Sequence, residues 1–493
     1  MQIWLVSEFF FADEALRVAE QALDELLGIY NPWWQEPEGA WRRDLPSFRR
    51  PIVAEVLSDL RDLPQMVSLT GPRRVGKTTA LHQIICHLLD VERIPPERIT
   101  YFSFDDPQVF GCPELQKVIF DQLVQRTGTA AGADDRWFFF LDEIQRLPKW
   151  ELFLKKYHDL RFPLRIVVSG SASSPIFRSS QESLLGRIKD RHLLPFSFRE
   201  YVLFRHREDA EFSQTLDAHR DLRPLLLDPT EDRVLGYLRA LTAALGPYED
   251  RLGEDLVTYC REGGFPETWV FTDPVRKIEY LMDQQVRKVL FEDLMTLTQY
   301  RKPENVLRFF VYLLAHPGRE LNMAQVARDA GVERRVVEEN LPRLEMTDLV
   351  RRVRKFTSKP LRVNQGNIKC YPLDLALRNA VLKTWRDPTT DPQLMGLYAE
   401  NLVANELLRW PEAIEVAYFR EKQQEVDFVV THSGDRFLPI EVKYGPPASR
   451  ATGLRHFMGK YRVPFGVVIT RQTDCRVERG VGCLPLTHFL LAN

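Results

Sequence analysis

A chain of 493 residues exceeds what one hydrophobic core usually spans, so roughly two to four domains are expected. Its 44% apolar and 28% charged residues exclude wholesale disorder, and a formal net charge of -2 restricts any DNA-binding surface to a local patch. Six scattered cysteines without a C-x-x-C pair suit a reducing cytosol and offer no zinc site, Glu8, Asp13 and Glu14 interrupt any signal-peptide core, and no apolar run approaches the ~20 residues of a membrane helix, so a soluble, cytoplasmic protein without a membrane partner is expected.

In chain order, residues 12–27 carry apolar side chains at three-to-four spacing and predict an amphipathic helix; NPWW at 31–34 breaks it, and a second helix is expected over 51–60. Residues 66–69 read as a short apolar strand ending in a glycine-rich turn. Strands over 99–104, 137–141 and 164–168 then alternate with helices over 113–125 and 150–157, which implies a parallel sheet covered on both faces. This block closes near Tyr201. Residues 205–255 are charged and helical in pattern, helices continue to about Ala315, and a final α/β block begins near Asp391.

The turn after the first strand holds Gly71, Pro72, Arg73, Arg74, Val75, Gly76, Lys77 and Thr78, followed by Thr79, and fits G-x-x-x-x-G-K-[ST] between a strand and a helix starting at Thr78. Glycines let backbone N–H groups curl around phosphates, and the helix N-terminus adds partial positive charge. Lys77 is placed to reach the β- and γ-phosphates of ATP, and the Thr78 hydroxyl to ligate Mg2+. The strand FFFLDE delivers Asp142 and Glu143 at its carboxyl end, where an open parallel sheet presents its ligand site. Asp142 would hold Mg2+ directly or through water, and Glu143 would deprotonate the attacking water. In SGSASS after the next strand, Ser171 is the choice for sensing the γ-phosphate, although hydroxyl-rich turns are common for plain turn reasons. Arg187 in LLGR has the fixed charge to neutralise the transition state; the alternative is an ordinary surface arginine.

GPRRVGKTT, FFFLDEIQ, VVSGSAS, LLGRIKDRHLLPFSFREY and GGFPE at 263–267 together resemble a prokaryotic P-loop family that joins an AAA-type ATPase domain to a C-terminal DUF4143 domain. The resemblance covers most of the chain from about Asn31 and implies an additional-strand ATPase with a catalytic glutamate, followed by a helical region. Residues 205–255 are longer than the family usually carries there.

Residues 321–332 predict a helix ending at Gly331, residues 333–344 a second helix that Pro342 ends early or kinks, and VRRVRKF at 350–356 a wing-like strand. Arg334, Arg335, Arg351, Arg352, Arg354 and Lys355 are available for DNA phosphates, whereas Glu338, Glu339 and Glu345 favour packing or contacts between domains; both readings stay open.

At the carboxyl end, a helix containing Glu400 precedes a strand opening EVD and, after Ser433-Gly434, a strand ending IEVK. Adjacent strands would bring Asp427 beside Glu441 as a carboxylate pair for Mg2+ or Mn2+, with Lys443 on the Glu441 face to orient or activate water for phosphodiester attack. This D…E-x-K pattern over roughly residues 391–470 resembles the PD-(D/E)xK nuclease superfamily, which often adds a helix glutamate such as Glu400. The alternatives are a surface hairpin with a Glu–Lys ion pair and a nuclease fold that only binds DNA.

The expected fold class is α/β: an N-terminal helical segment (1–50), a P-loop parallel-sheet ATPase core (51–203), a helical region (204–302), a winged-helix-like domain (303–360) and a restriction-endonuclease-like domain (361–493). The expected activity is ATP hydrolysis coupled to DNA binding or metal-dependent DNA cleavage, or else a nucleotide-dependent switch without cleavage. Partners would be ATP, DNA, and a protein or further copies of the chain.

Overall fold

The computed structural model describes residues 25–107, 136–147, 149–171, 184–220, 222–294, 303–358, 367–444, 451–471 and 475–492. The helix expected over 113–125 and most of the one over 12–27 lie outside these residues; residues 25–30 are helical. The chain divides into two compact units, Met1–Leu194 and Pro195–Asn493, so the break falls ahead of the boundary expected at residue 203.

The first unit is built on strands β1 (Met66–Gly71), β2 (Ile99–Ser103), β3 (Trp137–Asp142), β4 (Leu164–Ser171) and β5 (Ile188–His192). They pair in the order β2-β3-β4-β1-β5, every pairing parallel. All of β1 is buried and β3 is buried from Phe138 onwards, which is why these strands read as continuous apolar runs rather than alternating ones. Helices Pro51–Asp62, Lys77–Asp90 and Trp150–Asp159 accompany the sheet, and Trp150 and Leu154 join Phe139, Leu141 and Val168 in one core. The NPWW turn has a job at the sheet edge. Asn31 accepts from the Tyr101 N–H (2.6 Å) and donates to the Tyr101 carbonyl (2.9 Å), while the Trp33 and Trp34 indoles donate to the Ile99 carbonyl. Side chains thereby satisfy the outer edge of β2, which would otherwise be open to strand pairing.

The second unit starts with helices that include Phe198–Arg205, Glu231–Leu245 and Glu249–Glu262. The charged stretch 205–255 therefore has a structural account: Val234, Leu238, Leu241 and Leu245 point one stripe into a core shared with Phe428, Ile440 and Phe489. Helix Glu249–Glu262 stops at Gly263, at φ +68°, where an added Cβ would lie 1.9 Å from an Asp374 carboxylate oxygen. Asp374 takes the Gly264 N–H (2.7 Å) and, as a cap, the Ala376 N–H (2.8 Å). Gly263 thus makes room for a buried carboxylate, while Gly264, where an added Cβ would lie 2.3 Å from the Phe196 carbonyl oxygen, makes room for the Phe196 backbone.

Strands β6 (Glu320–Leu321), β7 (Val350–Lys355), β8 (Ile368–Pro372), β9 (Glu415–Glu421), β10 (Gln424–His432), β11 (Arg436–Lys443), β12 (Gly466–Thr470), β13 (Arg476–Glu478) and β14 (Val481–Pro485) form one mixed sheet. Their order is β13-β14-β12-β11-β10-β9-β7-β8-β6. The separation expected between 303–360 and 361–493 does not hold in this sheet. β7 pairs with β8 on one side and, through Arg354–Ala417 and Lys355–Tyr418, with β9 on the other, so neither block keeps a free edge there. Helix Met323–Ala330 ends at Gly331 in the left-handed conformation, and helix Arg334–Met346 runs through Pro342 rather than stopping at it.

Candidate functional site

β1 ends at Gly71, where φ is +152° and an added Cβ would stand 2.0 Å from the Leu193 carbonyl oxygen. The loop buries Pro72 and Val75, leaves Arg74 exposed and Arg73 half-buried, and turns at Gly76 into helix Lys77–Asp90. Arg50 braces it from outside by donating to the Val75 carbonyl (3.0 Å). Lys77 is buried, and its ammonium folds back onto the Gly71 (3.1 Å) and Pro72 (2.8 Å) carbonyls. Thr79 follows half-buried, one residue after the exposed Thr78.

Asp142, the last residue of β3, collects donors from three neighbouring elements and from the next residue. Thr78 (2.7 Å) and the Tyr101 hydroxyl (2.9 Å) donate to Oδ2, while Ser169 and the Glu143 N–H donate to Oδ1. The sequence directed attention to Ser171, which is buried in register with Gly71; Ser169 is the serine that reaches Asp142. The two serines alternate on one strand face, so periodicity alone could not choose between them. In the sequence Tyr101 reads as an ordinary strand aromatic.

Glu143 sits beside Asp142 in the left-handed region at φ 50° and takes a hydrogen bond from the Gln145 amide. Burial raises its pKa above the ordinary glutamate value; Lys77 opposes the shift and Asp142 adds to it. Arg187 does not belong to this constellation in the same chain. Its guanidinium is paired with Asp159 (2.7 Å), and its carbonyl accepts from Met66, the first residue of β1. It therefore lies at the opposite end of a strand roughly 20 Å long, beyond reach of phosphates at Gly71.

The Thr78 hydroxyl and Asp142 carboxylate converge on one point beside the loop, which fits Mg2+: that ion is usually held by one or two protein oxygens plus phosphates and water. A site of that kind needs no larger cluster, and among the described residues no group of three or more His, Cys, Asp or Glu is placed to hold a metal.

The carboxyl-terminal residues lie on β10 and β11, which are antiparallel. One step beyond the ladder pair Phe428–Ile440, Asp427 stands opposite Glu441. Asp427 accepts from the Val442 N–H (2.8 Å), and its carboxyl is pushed up to about 7 by burial and by Glu400, against Lys369, the Val442 N–H and Lys443. Glu441 is buried; one oxygen pairs with Lys443 (2.7 Å), and the other, Oε2, has no hydrogen-bond partner. Burial works against the Lys443 charge, but Glu441 and the other nearby carboxylates keep it an ammonium, suited to orienting a ligand rather than taking its proton. The Asp427–Glu441 pair fits a divalent cation. Glu400 lies near them with its Oε1 held by Lys369 (3.3 Å) and the Tyr371 hydroxyl (2.7 Å). Nothing in the sequence marked Lys369.

Of the arginines between 334 and 354, Arg334 and Arg335 are exposed and paired along their helix with Glu338 and Glu339. Arg351 and Arg352 are largely covered and tied to Asp348 and Glu345.

Comparison with known families assigns residues 64–202 to an AAA domain and residues 395–489 to the domain of unknown function DUF4143. The chain carries an AAA-type ATPase domain and a DUF4143 domain. Residues 253–387 match a further domain of unknown function, DUF8612. Two uncharacterized proteins of Methanocaldococcus jannaschii are similar over most of their length. MJ1637 is 23% identical over 87% of this chain and 85% of its own. MJ1544 is 23% identical over 76% and 74%. Among solved structures, Caenorhabditis elegans PCH-2 matches 36% of this chain and 47% of its own at 16% identity and a TM-score of 0.23. The Aeropyrum pernix ORC1 protein in complex with DNA matches 71% and 96% at 14% identity and a TM-score of 0.26. Superpositions this loose carry no functional argument. No helix among the described residues is long and apolar enough to cross a membrane.

Proposed function

We propose that this AAA-type ATPase binds ATP with Mg2+ at residues 71–79, hydrolyses it with Glu143 as general base, and couples its nucleotide state to DNA held by the second unit. The observation that carries the catalytic reading is the meeting of Thr78 and Asp142 (2.7 Å) beside a glutamate whose affinity for protons is raised by burial. When bound, Mg2+ would neutralise charge on the β- and γ-phosphates. Lys77 exchanges its two carbonyl contacts for phosphate oxygens, and the backbone N–H groups of the loop cradle the rest. Glu143 takes a proton from water as the water oxygen bonds to the γ-phosphorus and the bond to the β-phosphate oxygen breaks, leaving ADP and phosphate.

For the second unit, the helix–helix–strand order from Met323 to Lys355 supports a winged-helix-like element, and Asp427 opposite Glu441 supports a nuclease-like, metal-dependent site. A second reading, a nucleotide-dependent switch that grips DNA or protein without cutting, is favoured by the internal pairing of Arg351 and Arg352 and by the engagement of Glu400. Supercoiled plasmid incubated with Mn2+ or Mg2+, with and without ATP, separates the two. Nicking by the wild type and not by Asp427→Ala establishes cleavage. No nicking, together with ATP-dependent retention of labelled DNA, establishes the switch.

A further inference from the structure

Lys369, on β8, is a buried ammonium set among carboxylates. Its Nζ stands 3.3 Å from Glu400 and 3.0 Å from Glu425, its side chain is 4% exposed, and it lies 5.3 Å above the Tyr418 ring. Burial disfavours its charge, yet Glu400, Asp427 and Glu425 outweigh that penalty and hold it protonated. A buried charge so compensated cannot be removed without stranding its partners.

We infer that Lys369 is the resident cation of the carboxyl-terminal site: it occupies Glu400 and Glu425 and confines a bound divalent ion to Asp427 and Glu441. Glu400 has one oxygen engaged on several sides, while its side chain keeps 25% of its surface exposed. Its Oε1 accepts from both Lys369 and Tyr371, and the backbone of Gly318 approaches so closely that an added Cβ would lie 2.8 Å from the same oxygen. Glu441 differs, since it is 5% exposed yet keeps Oε2 without a partner, which is an oxygen donor waiting for a hard cation. Lys369 and Tyr371 belong to the segment matched at 253–387, so the acidic site on β10 and β11 is completed from outside the 395–489 match. Lys369 is a positioning residue. The inference rests on reading Asp427 and Glu441 as an ion site, and is independent of whether DNA is cut there.

The test uses the full chain without nucleotide, Mn2+ as the probe, and both thermal unfolding and calorimetric titration. Lys369→Met should unfold at a lower temperature than wild type in EDTA, recover at least about 4 °C in millimolar Mn2+, and bind Mn2+ about tenfold more tightly. The double variant Lys369→Met/Glu400→Gln should lose that Mn2+ response, which a merely structural lysine would not predict. Unchanged Mn2+ affinity in Lys369→Met overturns the inference. If Lys369→Met does not fold, Glu400→Gln alone decides: wild-type Mn2+ affinity supports the inference, and a loss of about tenfold shows that Glu400 is already a ligand and overturns it. Plasmid nicking measured on the same wild-type sample reports separately on the nuclease reading.

Discussion

Thr78 donates to Asp142 across 2.7 Å, so the first turn of the helix after β1 and the end of β3 present a hydroxyl and a carboxylate at one point. Lys77 precedes Thr78 with its charge held on the Gly71 and Pro72 carbonyls. Lys77→Ala should weaken ATP binding roughly 10- to 100-fold, because a charge-assisted contact to phosphate is lost. Thr78→Ala should act differently: ATP affinity in EDTA stays near wild type, while the gain on adding Mg2+ shrinks. Fluorescent-nucleotide titrations with and without Mg2+ distinguish the two, and an identical loss in both conditions for Thr78→Ala would remove the hydroxyl from the metal site.

Glu143 is held by Gln145 and half-buried next to Asp142. Glu143→Gln keeps the size and the hydrogen-bonding shape but cannot accept a proton. It should bind ATP about as well as wild type and hydrolyse it about 100-fold or more slowly. Normal phosphate release by this variant would transfer the base to another group.

Ser169 and Tyr101 were not chosen from the sequence, yet both donate to Asp142. Each holds the Asp142 carboxylate in place. Tyr101→Phe and Ser169→Ala should each lower kcat roughly two- to tenfold, with ATP affinity in EDTA unchanged, since one neutral hydrogen bond contributes about 0.5–1.5 kcal/mol. A loss of ATP affinity without metal would mean that these side chains support the loop rather than Asp142.

What the sequence revealed and what it concealed divide along a physical line. The phosphate loop is a contiguous motif whose glycines answer local backbone demands, and β3 announces itself by an apolar run that stops at two carboxylates. Both could be read before any contact was known. Arg187 shows the limit. Its residue type suited a transition-state role, but the parallel pairing of β5 with β1 carries it to the far end of the sheet, and register is not written in a short stretch of chain. Lys369 shows the converse. It lies on β8, next to strands that the sequence assigns to a separate block, and only the β7–β9 pairing brings those strands into the sheet that carries Asp427. GGFPE is recognisable as a motif, but the reason for its first glycine, a buried Asp374, lies far along the chain.

That carboxylate provides a pH-dependent prediction. Burial raises the pKa of Asp374 from 3.8 to about 6, against the two backbone N–H groups that favour its charged form. Between those values the folded chain holds a proton that the unfolded chain has released. The contribution to stability is therefore fully present below about pH 4, falls by ~1.4 kcal/mol per pH unit as pH rises, and is constant above about 6. Asp374→Asn has no such proton and places an amide N–H against a backbone donor, so it should be less stable than wild type throughout. The gap between the two should be wider at pH 4.5 than at pH 7.5, read from denaturant midpoints of the second unit's transition. A gap that is equal at both pH values, or wider near neutrality, would mean that Asp374 ionises normally in the folded chain and that the close approach of Gly263 does not seal it from water.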